Sequence, residues 1–367
     1  RASSAQQEDR DVAPNLPPDK RARFLDLSGK KLHEMKGHVD LAEYMDLRRE
    51  AFAGKLPPAE ANIVHYMRMG LQARYALNAR SFDLRSANCV TWTERTLALG
   101  LTDNWADARK LQNRLRYRDG KVGDPAAKNH RTLEDWVANN TWLWQEVTEQ
   151  LGVPTAEMRW ATKSGDVVVR HTAQYVPKEQ FASAEASLKS GDVILFVGEG
   201  STRTGRAVGV GHMGLISVSP GKGAFAYSCA PGAGGGKADT HHLSTLVADL
   251  KDDRGLLGFK FLRVRPNAGA LVAGELGKMT IPAASPAEID AELALKYDEL
   301  ITVDGKTYAK KTLRPGDTLW SLFGPRWREI MRLPMNGELR RNATWVDGRL
   351  KSVSADTVVY FPWIEDQ

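Results

Sequence analysis

Asn88-Cys89-Val90-Thr91-Trp92 begins a stretch that reads as a helix running to about Leu99. Val90 and Leu97 are seven apart, as are Trp92 and Leu99, so both apolar pairs return to one face of a helix. Asn88 is a residue type that caps such a helix. Cys89 then falls at the helix N-terminus, where unpaired amide N–H groups and the positive end of the helix dipole favour thiolate over thiol. A small cysteine buried in a core helix is the plainer reading of the same residues. Which reading holds depends on what the rest of the chain brings to Cys89.

Upstream, residues 1 to about 22 are polar, charged and broken by Pro14, Pro17 and Pro18, the pattern of a disordered lead-in. A helix is expected over Leu41 to Ala53. A second follows Pro57-Pro58, carrying Ile63, Val64, Met67 and Leu71 at helical spacing. Tyr75 and Leu77 lead into a loop that delivers Asn88 and Cys89.

Downstream, residues 102–123 are charged and partly helical in pattern. Asn129-His130-Arg131-Thr132-Leu133-Glu134-Asp135-Trp136 precedes a tryptophan-rich segment with Trp142 and Trp144. After Pro154 the pattern turns to strands, with Val167-Val168-Val169 and then Asp192 to Val197 behind a Ser190-Gly191 turn. In the strand Val208 to Val218, the residues Val208, Val210, His212, Ile216 and Val218 share one parity, which points His212 inward among apolar neighbours. Pro220 to Gly223 is a turn, Ala224 to Cys229 a returning strand, Leu243 to Leu250 a helix, and Phe259 to Val264 a last apolar strand. Residues 267–305 suggest a linker with one helix from Pro286 to about Leu300. Beyond it, Thr312 to Trp320, a helix near Trp327 to Leu333 and the strand Val358 to Pro362 form a small β-α-α-β unit.

Composition sets the outer limits. The 367 residues suffice for about two domains, and 42% hydrophobic with 26% charged residues is ordinary for a folded chain. No apolar run approaches the roughly 18 residues of a membrane span. The chain starts at Arg1, as a processed or trimmed chain would. A net charge of +6 favours anionic partners, but acidic residues are interspersed throughout, which argues against a dedicated nucleic-acid binder. Cys89 and Cys229 make no disulfide framework, and a bridge between them would consume the thiol proposed as nucleophile.

Several chemistries are set aside. Gly209-Val210-Gly211-His212-Met213-Gly214 fits a dinucleotide-binding pattern, but its glycines lie within a strand and a Pro-Gly turn follows where a helix is required. His241-His242 is adjacent rather than four apart and no C-x-x-C occurs, so neither a metal nor another cofactor is expected. What remains is a helix-start cysteine and a strand histidine, the pairing a papain-like hydrolase needs, in which the imidazole stabilises the thiolate and then protonates the leaving amine.

Tyr75 through Leu99 resembles the nucleophile segment of the NlpC/P60 cell-wall hydrolases, which place a tyrosine about a dozen residues before an Asp-Cys pair that opens a helix. His212-Met213-Gly214 resembles their His-Val-Gly strand, and Ser190-Gly191-Asp192 their Gly-Asp strand start. Cys89 to Glu94 and the His130 to Asn140 segment are similar to the N-acetylmuramoyl-L-alanine amidase-like (DUF1460-type) branch, a resemblance that covers roughly residues 60–266. Separately, Tyr308 to Pro362, with its Pro-Gly-Asp-Thr-Leu-Trp turn, resembles a LysM module.

The resemblance implies an α+β chain: an N-terminal extension (1–59), a papain-like hydrolase domain (60–266), a linker (267–305) and a βααβ LysM domain (306–367). It implies a periplasmic or secreted enzyme acting on peptidoglycan or muropeptides. The bond between N-acetylmuramic acid and L-alanine would be the target, with the γ-D-glutamyl–diamino-acid bond as the alternative and a degenerate, non-catalytic glycan binder as the rival class. In the catalytic roles, Cys89 would be nucleophile and His212 base, then acid. The third family residue aligns with Tyr227, or with Ser228 after a one-residue slip, and the Cys89 amide and Tyr75 hydroxyl would bind the oxyanion. Asn88, where the family has aspartate, and His130, Arg131 and Trp136 would shape the substrate groove; the plain alternative for the last three is a structural turn and a core tryptophan. Gly316, Asp317, Thr318 and Leu319 would bind N-acetylglucosamine-containing glycan. A thiolate activated by His212 would alkylate near pH 6.

Overall fold

The computed structural model describes residues 4–77, 79, 82–121, 127–129, 131–164, 167–202, 205–231, 236–253, 255–279, 285–287, 298–304, 306–315, 317–323, 327–346 and 349–362. It divides into two compact units, residues 1–286 and 287–367.

In the first unit the expected disordered lead-in is folded. Ser4–Val12 (α1) and Pro18–Ser28 (α2) are helices, followed by His38–Ala51 (α3) and Ala59–Met69 (α4). The polar sequence of α1 conceals a buried ion pair. Asp9 is fully buried, accepting from the Tyr44 hydroxyl at 2.5 Å and from Arg48 Nε at 3.1 Å. Arg48 also donates to Asn62 Oδ1, and Asn62 Nδ2 donates to the carbonyl of Gly100 at 2.8 Å. A chain of hydrogen bonds therefore runs from α1 through α3 and α4 to the end of Cys89–Gly100 (α5). Gly100 lets α4 and α5 meet, since a Cβ there would lie 2.6 Å from Ile63 Cγ1.

The unit combines these helices with one mostly antiparallel sheet, a mixed α+β arrangement. Its strands are Trp144–Glu146 (β3), Ala156–Ser164 (β4), Val167–Pro177 (β5), Val193–Thr202 (β6), Gly205–Ser219 (β7), Gly223–Cys229 (β8), Ala238–His242 (β9) and Leu256–Val264 (β10), in the order β4-β5-β10-β6-β7-β8-β9 with β3 on β10. Two short parallel strands, Arg74–Tyr75 (β1) and Ser86–Ala87 (β2), precede α5. At the start of β6, Gly191 takes φ +88°, and Asp192, buried, accepts two hydrogen bonds from Arg263 at 2.8 and 2.7 Å.

The two faces of the sheet carry different cores. Ile194, Phe196, Ile216, Ala224 and Ala226 pack with Phe259 and Phe261 of β10, with Phe181 of the short helix Phe181–Ala184 and with Leu243 of the helix Leu243–Asp249. Residues of the other parity on β8 turn toward α5. Cys229 directs its thiol to the Ala87 carbonyl just ahead of that helix, and α5 lies against β7 and β8.

Part of the expected linker is folded as well. The helix Ala268–Gly277 buries Ala268, Val272 and Leu276, and its Glu275 accepts from Arg114 Nε at 2.8 Å. The expected linker helix from Pro286 falls largely on 288–297, outside the described residues.

In the second unit, Glu299–Val303, Lys306–Thr312 and Val358–Pro362 form a three-stranded antiparallel sheet. Short helices at Leu319–Phe323, Trp327–Arg332 and Gly337–Arg341 bring Leu319, Ile330, Met331 and Leu339 onto Leu313 and Val359. The expected β-α-α-β order is present, with three additions: a strand before it, the third helix Gly337–Arg341, and the hairpin Ala343–Val346 with Arg349–Val353 ahead of the last strand. Among the described residues no helix is long and apolar enough to cross a membrane.

Candidate active site

Asn88 caps α5 from both sides. Its side chain accepts from the Thr91 amide at 2.9 Å, and its own amide donates to the Thr91 hydroxyl at 2.9 Å. Its Nδ2 donates to the Leu77 carbonyl at 2.9 Å, tying the preceding loop to the helix start. The substitution of asparagine for aspartate thus keeps the capping acceptor without a negative charge.

Cys89 is a free thiol of intermediate exposure. Burial pushes it above the ordinary thiol range. The amide N–H groups of Met213, Val90 and Cys89 itself work the other way, each favouring a thiolate. The Met213 contact brings the sulfur to β7, at the residue directly after His212.

His212 lies opposite Phe196 on β6, the ring centroids 5.0 Å apart and tilted by 57°. Burial pushes its imidazole down to about 4, and no charged group among the described residues offsets it. The pairing of β6 with β7 shifts register between Phe196 and Val197, so that Gly211 is extra and Val210 faces Val197. This bulge corrects the expected single face. Val208 and Val210 lie on the opposite side from His212, because one unpaired residue inverts the alternation. Val218, at the other end of the strand, is exposed.

The β7–β8 register separates the two candidates for third residue. Leu215 is opposite Tyr227, so Tyr227 projects to the Leu215 face, away from that of His212, Gly214 and Ile216. A Cβ on Gly214 would lie 3.0 Å from Ser228 Cβ, which puts Ser228 on the His212 face. Tyr75 pairs with Ala87 in the β1–β2 ladder, and burial, followed by the charges that Cys89 and Cys229 would carry, pushes its hydroxyl up.

The groove residues fare differently. Trp136 is a core residue. It is 1% exposed, stacks on Trp144 with centroids 4.4 Å apart, and donates to Glu94 Oε1 at 3.0 Å. This corrects its expected role as groove lining, because its indole N–H is taken by a buried carboxylate. Arg131 pairs with Asp135 at 3.1 Å at the start of a π-helical turn, Thr132–Val137. His130 lies outside the described residues. Glu94, one turn into α5, escaped the sequence reading. It is fully buried, binds Trp136 and Arg116 (3.0 Å), and its charge adds to the upward push on Cys89. A glutamate beside Arg95 in a helix otherwise made of apolar residues and threonines was the available signal.

In the second unit Gly316 lies outside the described residues. Asp317 Oδ2 accepts from the Arg314 amide at 3.0 Å and pairs with Lys311 at 3.7 Å, Thr318 is exposed, and Leu319 is core. No group of three or more His, Cys, Asp or Glu among the described residues is arranged to hold a metal ion.

No curated protein matches this chain. Among solved structures, a Legionella pneumophila str. Philadelphia 1 protein of the DUF1460 family is similar at 12% identity and a TM-score of 0.52, covering 62% of this chain and 95% of its own. That likeness concerns the fold alone. An N-acetylmuramoyl-L-alanine amidase from Bacteroides uniformis ATCC 8492 matches at 18% identity and a TM-score of 0.46, over 56% of this chain and 99% of its own. Residues 66–230 match the family model described as AmiA-like, N-acetylmuramoyl-L-alanine amidase-like, and on that match the first unit carries an N-acetylmuramoyl-L-alanine amidase-like segment holding Tyr75, Cys89, His212, Tyr227 and Ser228.

Proposed function

We propose that this protein is a peptidoglycan hydrolase of the papain-like, NlpC/P60 type, cutting the N-acetylmuramoyl–L-alanine amide with Cys89 as nucleophile. The observation that carries this reading is the meeting of a capped helix-start thiol with the Met213 amide, the residue that follows half-buried His212 in β7, within an amidase-like segment. Burial leaves thiol and imidazole both neutral at rest, so proton transfer accompanies attack. Cys89 Sγ adds to the scissile carbonyl as its proton passes to His212. The C–N bond then breaks, His212 protonates the amine of L-alanine, and a muramoyl thioester remains. Water, giving a proton to His212, hydrolyses the thioester. The Cys89 amide and the Tyr75 hydroxyl serve the oxyanion, and Ser228, on the His212 face, is a better-placed orienting residue than Tyr227. His212 projects to the Phe196 face of the sheet, whereas residues of the other parity turn to α5, so this chemistry requires β7 to turn at the Gly211 bulge and present His212 to the thiol.

The second unit would serve as a LysM-like module binding N-acetylglucosamine-containing glycan around Gly316 to Leu319. The exposed Thr318 is its contact, and Asp317 and Leu319 hold the loop. Binding two parts of one polymer raises the local concentration of scissile bonds. The protein would act in the periplasm or outside the cell.

One observation favours a second reading. The His212 ring rests on Phe196, and among the described residues no carboxylate acts on it, as suits a non-hydrolytic peptidoglycan binder. Mass spectrometry of purified muropeptides separates the two: the enzyme releases peptide and Cys89→Ala protein does not, whereas a binder leaves every muropeptide intact. The product masses also tell the muramoyl–alanine bond from the γ-D-glutamyl–diamino-acid bond.

A further inference from the structure

Cys89 and Cys229 are the chain's two cysteines, and both are free. Cys229 ends β8, is fully buried, and has no part in the reaction above. Its Sγ donates to the Ala87 carbonyl at 3.2 Å and lies 3.8 Å from that of Ala73. Ala87 stands two residues before Cys89. From the other side, β8 pairs with β7 as far as Leu215 against Tyr227, and a Cβ on Gly214 would lie 3.0 Å from Ser228 Cβ, so Met213 and Cys229 follow at neighbouring positions of the two strands. The Met213 amide is the strand group that bears on Cys89. Both sulfurs therefore border the same two pieces of backbone, the turn after Ala87 and the strand at Met213. Both also bear on the Tyr75 hydroxyl.

We infer that Cys89 is a reversible oxidation site and that Cys229 is its resolving thiol, so that peroxide converts the pair to a disulfide. The order of events follows from exposure and acidity. Cys89 is partly exposed, whereas Cys229 is buried and its thiol is pushed up to about 12, by burial first and by the Cys89 charge as well. Cys89 therefore meets the oxidant first. Its thiolate attacks one oxygen of hydrogen peroxide, the O–O bond breaks, and the departing hydroxide takes up a proton to become water, leaving a sulfenic acid. The Cys229 sulfur, giving up its proton, then attacks the Cys89 sulfur. The S–O bond breaks, a second water leaves, and the S–S bond forms. Two thiols and one peroxide become one disulfide and two waters. On the reading of Cys89 as nucleophile, the bridge silences the site and protects it from irreversible oxidation until a reductant reopens it.

The test uses the full chain treated with hydrogen peroxide. Free thiols are blocked with N-ethylmaleimide, and the protein is digested without reductant for mass spectrometry. The expected result is a linked peptide joining Cys89 to Cys229, an intact mass lower by two hydrogens, and full reversal by dithiothreitol. In Cys229→Ser and Cys229→Ala proteins the same dose should carry Cys89 on to sulfinic and sulfonic acids. Sulfinic or sulfonic Cys89 in the wild type without the linked peptide, or two thiols still alkylatable after treatment, would overturn the inference. Because the readout is mass rather than hydrolysis, it stands or falls separately from the amidase reading.

Discussion

At the scale of single residues, burial acts on Cys89 and His212 in opposite chemical senses, pushing the thiol up and the imidazole down to about 4. Both changes favour the uncharged forms, so no thiolate–imidazolium pair stands ready in the resting protein. The sequence-based expectation of rapid alkylation near pH 6 is reversed accordingly. Iodoacetamide should label Cys89 at least about tenfold more slowly at pH 6 than at pH 9, as the thiolate fraction sets the rate. Equal rates at the two pH values would mean a preformed ion pair. The position of Cys89 was legible because Asn88 and the helical spacing are local signals; its acidity was not, because burial under the rest of the fold sets it first, with the Met213 amide of β7 opposing and the Glu94 charge adding to it. The same depression of imidazoles shapes acid stability. His212 at about 4, and the buried His65 well below its ordinary value, bind protons more readily unfolded than folded. Their contribution is whole above pH 6.5 and is lost as pH falls from there toward 4. Asp9, raised by burial, works in the opposite direction, so the variant comparison is the informative one. The fall in Tm between pH 7 and pH 5 should be smaller in His212→Gln protein than in the wild type, and an unchanged fall would remove His212 from the explanation.

At the scale of elements, α5 depends on its first residue. Asn88→Ala removes the acceptor for the Thr91 amide and should cost about 0.5–2 kcal/mol in urea unfolding. Asn88→Asp should keep that stability, and equal losses in both variants would deny the cap its role. Helices α3, α4 and α5 and strands β6, β7 and β8 were visible in the sequence because their apolar residues recur at helical spacing or run together at strand length. The bulge at Gly211 was not visible: its single unpaired residue leaves the apolar alternation of β7 intact on paper while inverting it in space. Nor was the length of the β4–β5 hairpin. Its residues 168–170 are exposed, and β5 joins β10 only at Val176 and Pro177, so burial imposes little alternation on it. Trp136 was ambiguous for a related reason, since the residue that decides it, Glu94, is 42 positions away.

At the scale of the whole molecule, the N-terminal residues belong to the first unit. The bonds from Asp9 through Arg48 and Asn62 to Gly100 tie α1 to the helix that carries Cys89. Asp9→Ala leaves Arg48 buried without its carboxylate and should cost about 3–5 kcal/mol. Urea unfolding at pH 7 measures this, and a loss below about 1 kcal/mol would show that Asp9 contributes little more than an exposed ion pair. Composition alone hid this part of the fold because charged residues that neutralise one another in the core look like a solvated tail. The central claim is that Cys89 cuts peptidoglycan. Its most direct measurement is the mass spectrum of muropeptides incubated with wild-type and Cys89→Ala proteins of matched Tm. The expected result is free peptide beginning at L-alanine with the wild type and none with the variant; equal release by both proteins, or by neither, would contradict it.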